Sequence, residues 1–279
     1  MKKSIIAAAI GIVLLAAVLI LVPDGSSRHS ESAPSQASDS NNSITATLPE
    51  AYLSPETEPQ QIAEAPAPFL SETHEDVFTN NADALEHAIS VPEEAVALYI
   101  CADGDTEKIQ TTLTHIKALS DEICNGIDSD FDKLCAIAQW VSENFYYDYD
   151  ARDTSVTAET IALENVLETR RTVCMGFSNL YAALCCAQGI DCRVVHGTAV
   201  PAGTFDDDIK GEMHEWNVVL TDGRHVWVDA LWNTGNAYRN GTYTDGIQHT
   251  KYLGISDVDI AKNHRADHIE IRDYYSLLP

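Results

Sequence analysis

Arg171-Thr-Val-Cys174-Met-Gly-Phe-Ser-Asn-Leu-Tyr-Ala-Ala-Leu184 places Phe177, Leu180, Tyr181, Leu184 and Cys185 at helical spacing, so Cys174 opens an amphipathic helix. The unpaired N–H groups and partial positive charge of a first helical turn favour a thiolate and lower a thiol pKa from its ordinary value of about 8.5. Cys174 is therefore a candidate nucleophile. The helix is expected to stop at Gly189, which suits the left-handed position after a C-cap, and a strand from Cys192 to Ala199 follows.

Further along, His214-Glu-Trp-Asn-Val-Val-Leu220 and Arg224-His-Val-Trp-Val-Asp-Ala230 are β-rich runs on either side of Thr221-Asp222-Gly223, and Asp-Gly is a strong hairpin signal. With Asp222 and Gly223 as a two-residue loop, Thr221 faces Arg224, Leu220 faces His225 and Trp216 faces Asp229. His214 is then one diagonal step, about 7 Å, from Asp229 on the same face. A one-residue slip would send Asp229 to the opposite face. This register assigns three roles. Cys174 would attack a carbonyl carbon, His214 would pair with the thiolate and protonate the leaving amine, and Asp229 would hold the imidazole tautomer. The Cys174 N–H would serve the oxyanion, and the sequence identifies no second donor. His196, on the neighbouring strand, is a weaker candidate base, and His225 sits about 13 Å along the strand from Asp229. Trp216 and Trp227 read as core or cleft wall, with Trp216 placed to shield the His–Asp pair from water.

These blocks carry a resemblance. Val173 to Leu184, Gly189-Ile-Asp-Cys-Arg-Val-Val-His-Gly197, His214-Glu-Trp-Asn-Val218 and Trp227-Val-Asp-Ala-Leu-Trp232 resemble the core of transglutaminase-like domains, in the same Cys, His, Asp order. Phe131 to Trp140 and on to Asp148 resembles the helix that precedes that core. Tyr252-Leu-Gly-Ile-Ser-Asp257 and His264 resemble the closing segment of bacterial members. Asp229-Ala-Leu-Trp departs from the commoner Asp-Pro-Thr-Trp but keeps the carboxylate and the Trp. The resemblance implies a papain-like α+β fold and cysteine-dependent acyl chemistry on amide bonds of protein or peptide substrates, with peptidase or amidase hydrolysis favoured over cross-linking. A catalytically silent binding or structural module at the cell surface is the alternative.

At the N-terminus, residues 1–3 carry Lys2 and Lys3, and an apolar run from Ile5 to Val22 makes up the candidate anchor at 4–22. That run is close to the length that spans about 30 Å of hydrocarbon, and its flanking charge places the rest of the chain outside the cytoplasm. The reading is an uncleaved, single-pass membrane anchor with an extracytoplasmic domain; secretion after signal cleavage is the alternative. Residues 23–72, rich in Ser, Pro, Ala, Glu and Gln, read as a disordered linker. Residues 73–279 are long enough for one catalytic domain. Within it, Pro92 to Ile100 reads as strand or helix, and Thr106 to Leu119, Phe131 to Phe145 and Thr160 to Leu167 as helices. An acidic loop at Asp206-Asp-Asp208 precedes the hairpin. Helices followed by an antiparallel sheet argue α+β.

The formal charge of -26 argues against nucleic acid, which requires clustered Lys and Arg, and against anionic lipid heads; it reads as the solvated exterior of a secreted protein and is compatible with a cationic or lysine-rich acceptor. The expected partner is a protein or peptide substrate, with the cell envelope as one source. Seven cysteines in an exported chain suggest disulfides with one left over. Cys174 is the candidate for the odd one, and Cys101, Cys124 and Cys135 are candidates for one bridge. Cys185, Cys186 and Cys192 lack Cys-x-x-Cys spacing and read as buried thiols rather than zinc ligands. No Asp-x-Asp-x-Asn-Gly calcium loop is present, and the mechanism requires no metal or organic cofactor.

Overall fold

The computed structural model describes residues 81–201, 204–205 and 211–278. The anchor, the linker and the acidic loop at 206–208 expected from sequence lie outside these residues. Among the described residues no helix is long and apolar enough to cross a membrane.

The chain runs α1 (Asn81–Glu86), β1 (Ile89–Ser90), α2 (Glu93–Ile100), α3 (Thr106–Ile123), α4 (Asp130–Asn144), β2 (Tyr146–Asp148) and α5 (Tyr149–Thr154). Then come α6 (Ala158–Ile161), α7 (Leu163–Thr169), β3 (Arg171–Thr172), α8 (Cys174–Ala187), β4 (Asp191–Ala199), β5 (Glu212–Thr221) and β6 (Arg224–Val228). The last elements are α9 (Ala230–Asn233), β7 (Ala237–Arg239), β8 (Thr242–Thr244), α10 (Asp257–Ile260), β9 (His264–Ile271) and a 3-10 turn over Tyr275–Leu277. This is the α+β class that the sequence implies.

Helix α8 is the centre of the fold. It packs against α3 and α4 and against strands β4 and β5, and eleven of its residues, Gly176 to Cys185 and Ala187, are buried. A helix enclosed on all sides reads as apolar round its circumference rather than along one stripe. Hydrogen bonds tie α8 to both neighbouring helices: its Tyr181 hydroxyl donates to Leu134 O of α4 at 3.2 Å, and Ser120 Oγ of α3 donates to its Leu184 O at 2.8 Å. The helix ends at Gln188, and Gly189 at φ 74° turns the chain into β4.

The main sheet has the order β1-β9-β4-β5-β6. Asp222 and Gly223 both adopt positive φ, 52° and 71°, as a type I′ hairpin loop demands. The resulting pairs, Thr221 with Arg224, Leu220 with His225 and Asn217 with Val228, follow the register derived from the Asp-Gly signal. A second sheet, β3-β2-β7-β8, lies beside the start of α8 and includes parallel pairs. Its strands have two or three residues each, too short for alternation to reveal them.

Some expectations are corrected. The segment read as one helix over Thr160 to Leu167 is two, because Ala162 leaves the helical region at ψ 132° between α6 and α7. The segment Pro92 to Ile100, open between strand and helix, is a helix from Glu93. None of the seven cysteines is paired. Cys101, one of the three bridge candidates, instead donates its thiol to Asp103 Oδ1 at 2.9 Å.

Candidate active site

Cys174 is the first residue of α8, behind the N-cap Val173, which makes no side-chain cap, and the first turn holds no acidic residue. The N-cap side chain therefore takes none of the opening N–H groups, and no acidic residue of that turn repels a thiolate. The side chain is half-buried.

His214 enters from β5. Its Nε2 lies 2.7 Å from Asp229 Oδ2, and the Cys174 sulfur is near enough to the imidazole to act on its titration. With Nε2 committed to the carboxylate, Nδ1 is the nitrogen left for sulfur. Burial favours a neutral His214, but Asp229 first and Cys174 second push its pKa up to about 10. Burial would raise the Asp229 pKa, yet His214 and then His264 hold it well below the usual carboxylate range. The two shifts describe one buried ion pair seen from either side.

Asp229 is oriented from its other oxygen as well. Its Oδ1 accepts the Trp232 N–H at 2.9 Å, so it is the N-cap of α9. Ala230 occupies the first helical position, where Pro is equally at home. The departure from Asp-Pro-Thr-Trp therefore does not alter how this turn presents the carboxylate. A second imidazole shares Oδ2: His264 Nε2 on β9 approaches at 3.1 Å. His264 is fully buried, and burial lowers its pKa against the pull of Asp229. Asn263 then joins His264 Nδ1 at 2.8 Å to the Tyr252 hydroxyl at 2.7 Å.

Trp216, expected as core or cleft wall, is only 1% exposed. It backs the pair from within, its ring 6.0 Å from His214 and edge-on to His264 at 4.8 Å. Trp232 stacks on His214 from another side at 5.2 Å. Such enclosure removes water from the His–Asp pair and strengthens it. His196 is occupied elsewhere, between Glu215 at 2.8 Å and Glu270 at 3.3 Å. His225 bonds Asp257 at 2.7 Å. Neither joins the Cys174 cluster.

Residue patterning alone did not single out Tyr147 on β2. Its pKa is raised well above the ordinary value, first by burial and next by the Cys174 sulfur beside it. Tyr147 pairs with Thr172 on β3, the strand that leads into Cys174, a long-range neighbourhood with no local sequence signal.

Three clusters bring potential metal ligands together among the described residues: His214, Asp229 and His264; His196, His268 and Glu270; and Cys101, Asp103 and Glu164. In the second, the Arg272 guanidinium lies 2.7 Å from Glu270. In the third, Lys108 lies 2.7 Å from Asp103. A cation already opposes a metal in each. In the first, the three donors are consumed by hydrogen bonds to one another.

A sequence model of the transglutaminase-like superfamily matches residues 117–232, an interval that contains Cys174, His214 and Asp229. The mouse kyphoscoliosis peptidase is 27% identical over 127 residues, 45% of this chain and 19% of that protein. The human protein of the same name is 26% identical over the same shares. The matched region is thus about a fifth of the length of these curated relatives. Among solved structures, a candidate cysteine protease from Cytophaga hutchinsonii is 23% identical with a TM-score of 0.34, covering 43% of this chain and 37% of that one. A chain described as a TGase is 20% identical with a TM-score of 0.35, covering 47% and 34%. Residues 117–232, somewhat under half of the chain, thus match the transglutaminase-like superfamily.

Proposed function

We propose that this protein is a membrane-tethered, extracytoplasmic cysteine enzyme that acts on amide bonds of protein or peptide substrates, more readily as a hydrolase than as a cross-linking transferase. The observation that carries the reading is that His214, with Nε2 2.7 Å from Asp229, also feels the Cys174 sulfur, the two together raising its pKa against burial, inside a transglutaminase-like core.

The Cys174 thiolate attacks the substrate carbonyl, forming a C–S bond while the carbonyl electrons move to oxygen. The Cys174 N–H and the Tyr147 hydroxyl are the two donors for that oxyanion. His214, held protonated by Asp229, gives its proton to the departing amine as the C–N bond breaks, leaving a thioester on Cys174. Water, deprotonated by His214, then releases the acid; an amine in its place would give a new amide. Hydrolysis is favoured because the curated relatives are named peptidases. The extracytoplasmic tether rests on the apolar run and flanking lysines of residues 2–22.

The test is incubation of the full-length protein and Cys174→Ala with a peptide mixture, with and without a fluorescent primary amine, read by mass spectrometry. Cleaved or deamidated peptides that need Cys174 and outnumber amine adducts are expected. Adducts in excess would move the assignment to a transferase. No product with either acceptor would favour a silent binding module.

A further inference from the structure

A closed circuit of polar groups, all buried except the half-buried His196 and separate from the Cys174–His214–Asp229 cluster, starts and ends on helix α8. Ser178 Oγ donates to Glu215 Oε2 at 3.0 Å. Glu215 Oε1 meets His196 Nδ1 at 2.8 Å, and His196 Nε2 meets Glu270 Oε2 at 3.3 Å. Arg272 brings Nε and a terminal nitrogen to that same oxygen at 2.9 and 2.7 Å. Its other terminal nitrogen returns to Asn179 Oδ1 at 3.4 Å.

The circuit's place in the chain is what matters. Glu215 follows His214 directly on β5, and Ser178 lies one turn beyond Cys174 on α8. The Ser178–Glu215 bond therefore joins the two segments that present nucleophile and base, next to each of them. Stability alone does not account for the design, because buried ion networks are often no more stabilising than apolar residues of the same volume. Their distinctive property is directional: each fully paired charge has one acceptable geometry.

We propose that Ser178 and Glu215 are positioning residues that keep the Cys174 sulfur in register with the His214 ring, while His196, Glu270 and Arg272 hold the Glu215 carboxylate in place. The inference rests on the Cys174–His214 chemistry proposed above. Neither residue touches the reacting atoms.

The test is the pH profile of iodoacetamide alkylation at Cys174 in the full-length protein, with folding followed by circular dichroism. Folded Ser178→Ala should alkylate about tenfold more slowly at pH 7, since small misplacements of reacting groups carry large rate costs, and its profile should move toward that of an ordinary thiol. Glu215→Gln should do the same and decides the matter if Ser178→Ala does not fold. Ser178→Thr, which keeps the hydroxyl, should restore most of the rate. Folded variants that lose thermal stability but keep the wild-type profile overturn the positioning role alone. A wild-type Cys174 that titrates as an ordinary thiol overturns the Cys–His chemistry and the positioning role with it.

Discussion

His214 Nε2 and Asp229 Oδ2 lie 2.7 Å apart across a chain separation of fifteen residues, and the hairpin loop is what brings them together. The two positive φ values at Asp222 and Gly223 fix the register of β5 on β6. Asp229 follows directly after the last paired residue, Val228. There it leaves the strand and caps α9, which aims one carboxylate oxygen at helix backbone and the other at His214.

Asp229→Asn keeps the shape of this contact and removes its charge. The His214 pKa should fall from about 10, and peptide turnover should drop by about 10³- to 10⁴-fold, the scale seen when a triad carboxylate becomes an amide. Steady-state kinetics on a peptide identified as substrate would show the loss in kcat, with KM much less affected. A loss confined to KM would contradict the role.

His264→Phe fills the same buried space but removes one of the two imidazoles that meet Asp229 Oδ2. Loss of a buried hydrogen-bond partner costs about 1–3 kcal/mol, so thermal stability should fall by a few degrees. Asp229, no longer held down by His264, should titrate at higher pH. Carboxyl carbon NMR of Asp229 in the two proteins measures this.

Stability should also fall on the alkaline side. His214 is pushed up to about 10 by Asp229 and Cys174 against its own burial. His196 is pushed up to about 9 by Glu215 and Glu270, again against burial. Both native values lie above the unfolded value of about 6.5, so the stability these groups contribute is fully present below that pH. It fades above it and is lost as pH rises through 9 and then 10. Melting curves from pH 6 to 10.5 should show the decline, with a smaller fall near pH 9 in Glu215→Gln. A flat profile would contradict the buried ion pairs.

Gly176 accounts for the small residue in Cys-Met-Gly. A Cβ there would collide with the Thr172 side chain, including Oγ1, which donates to Thr160 O at 2.7 Å. Gly176→Ala should cost about 1–3 kcal/mol, as overpacking does, and should slow alkylation at Cys174 by displacing the start of α8. Chemical denaturation and alkylation rates together check both effects.

The parts of the fold that local patterns specify were legible in sequence. The start and helical character of α8 followed from the spacing of Phe177, Leu180, Tyr181 and Leu184, though the helix is buried all round rather than along the one face expected, and the hairpin register followed from Asp222-Gly223. Parts made by distant segments were not. Strand β9 pairs with β4 and β1 and brings His264 onto Asp229, yet nothing near residue 264 announces that partner. The short parallel pair of Tyr147 with Thr172 was equally hidden. No local pattern singled out Glu215 and Arg272, and only the fold shows them buried against each other's partners. The burial of Trp216 likewise depends on strands that approach from both ends of the domain.

The central claim is that His214 activates Cys174. It is tested most directly by the rate of iodoacetamide alkylation at Cys174 from pH 5 to 10, by mass spectrometry, in the wild type and in His214→Ala. Fast alkylation well below pH 8.5, the ordinary thiol value of about 8.5 being the reference, that slows in His214→Ala is the predicted result. A profile that follows an ordinary thiol in both proteins would contradict the account.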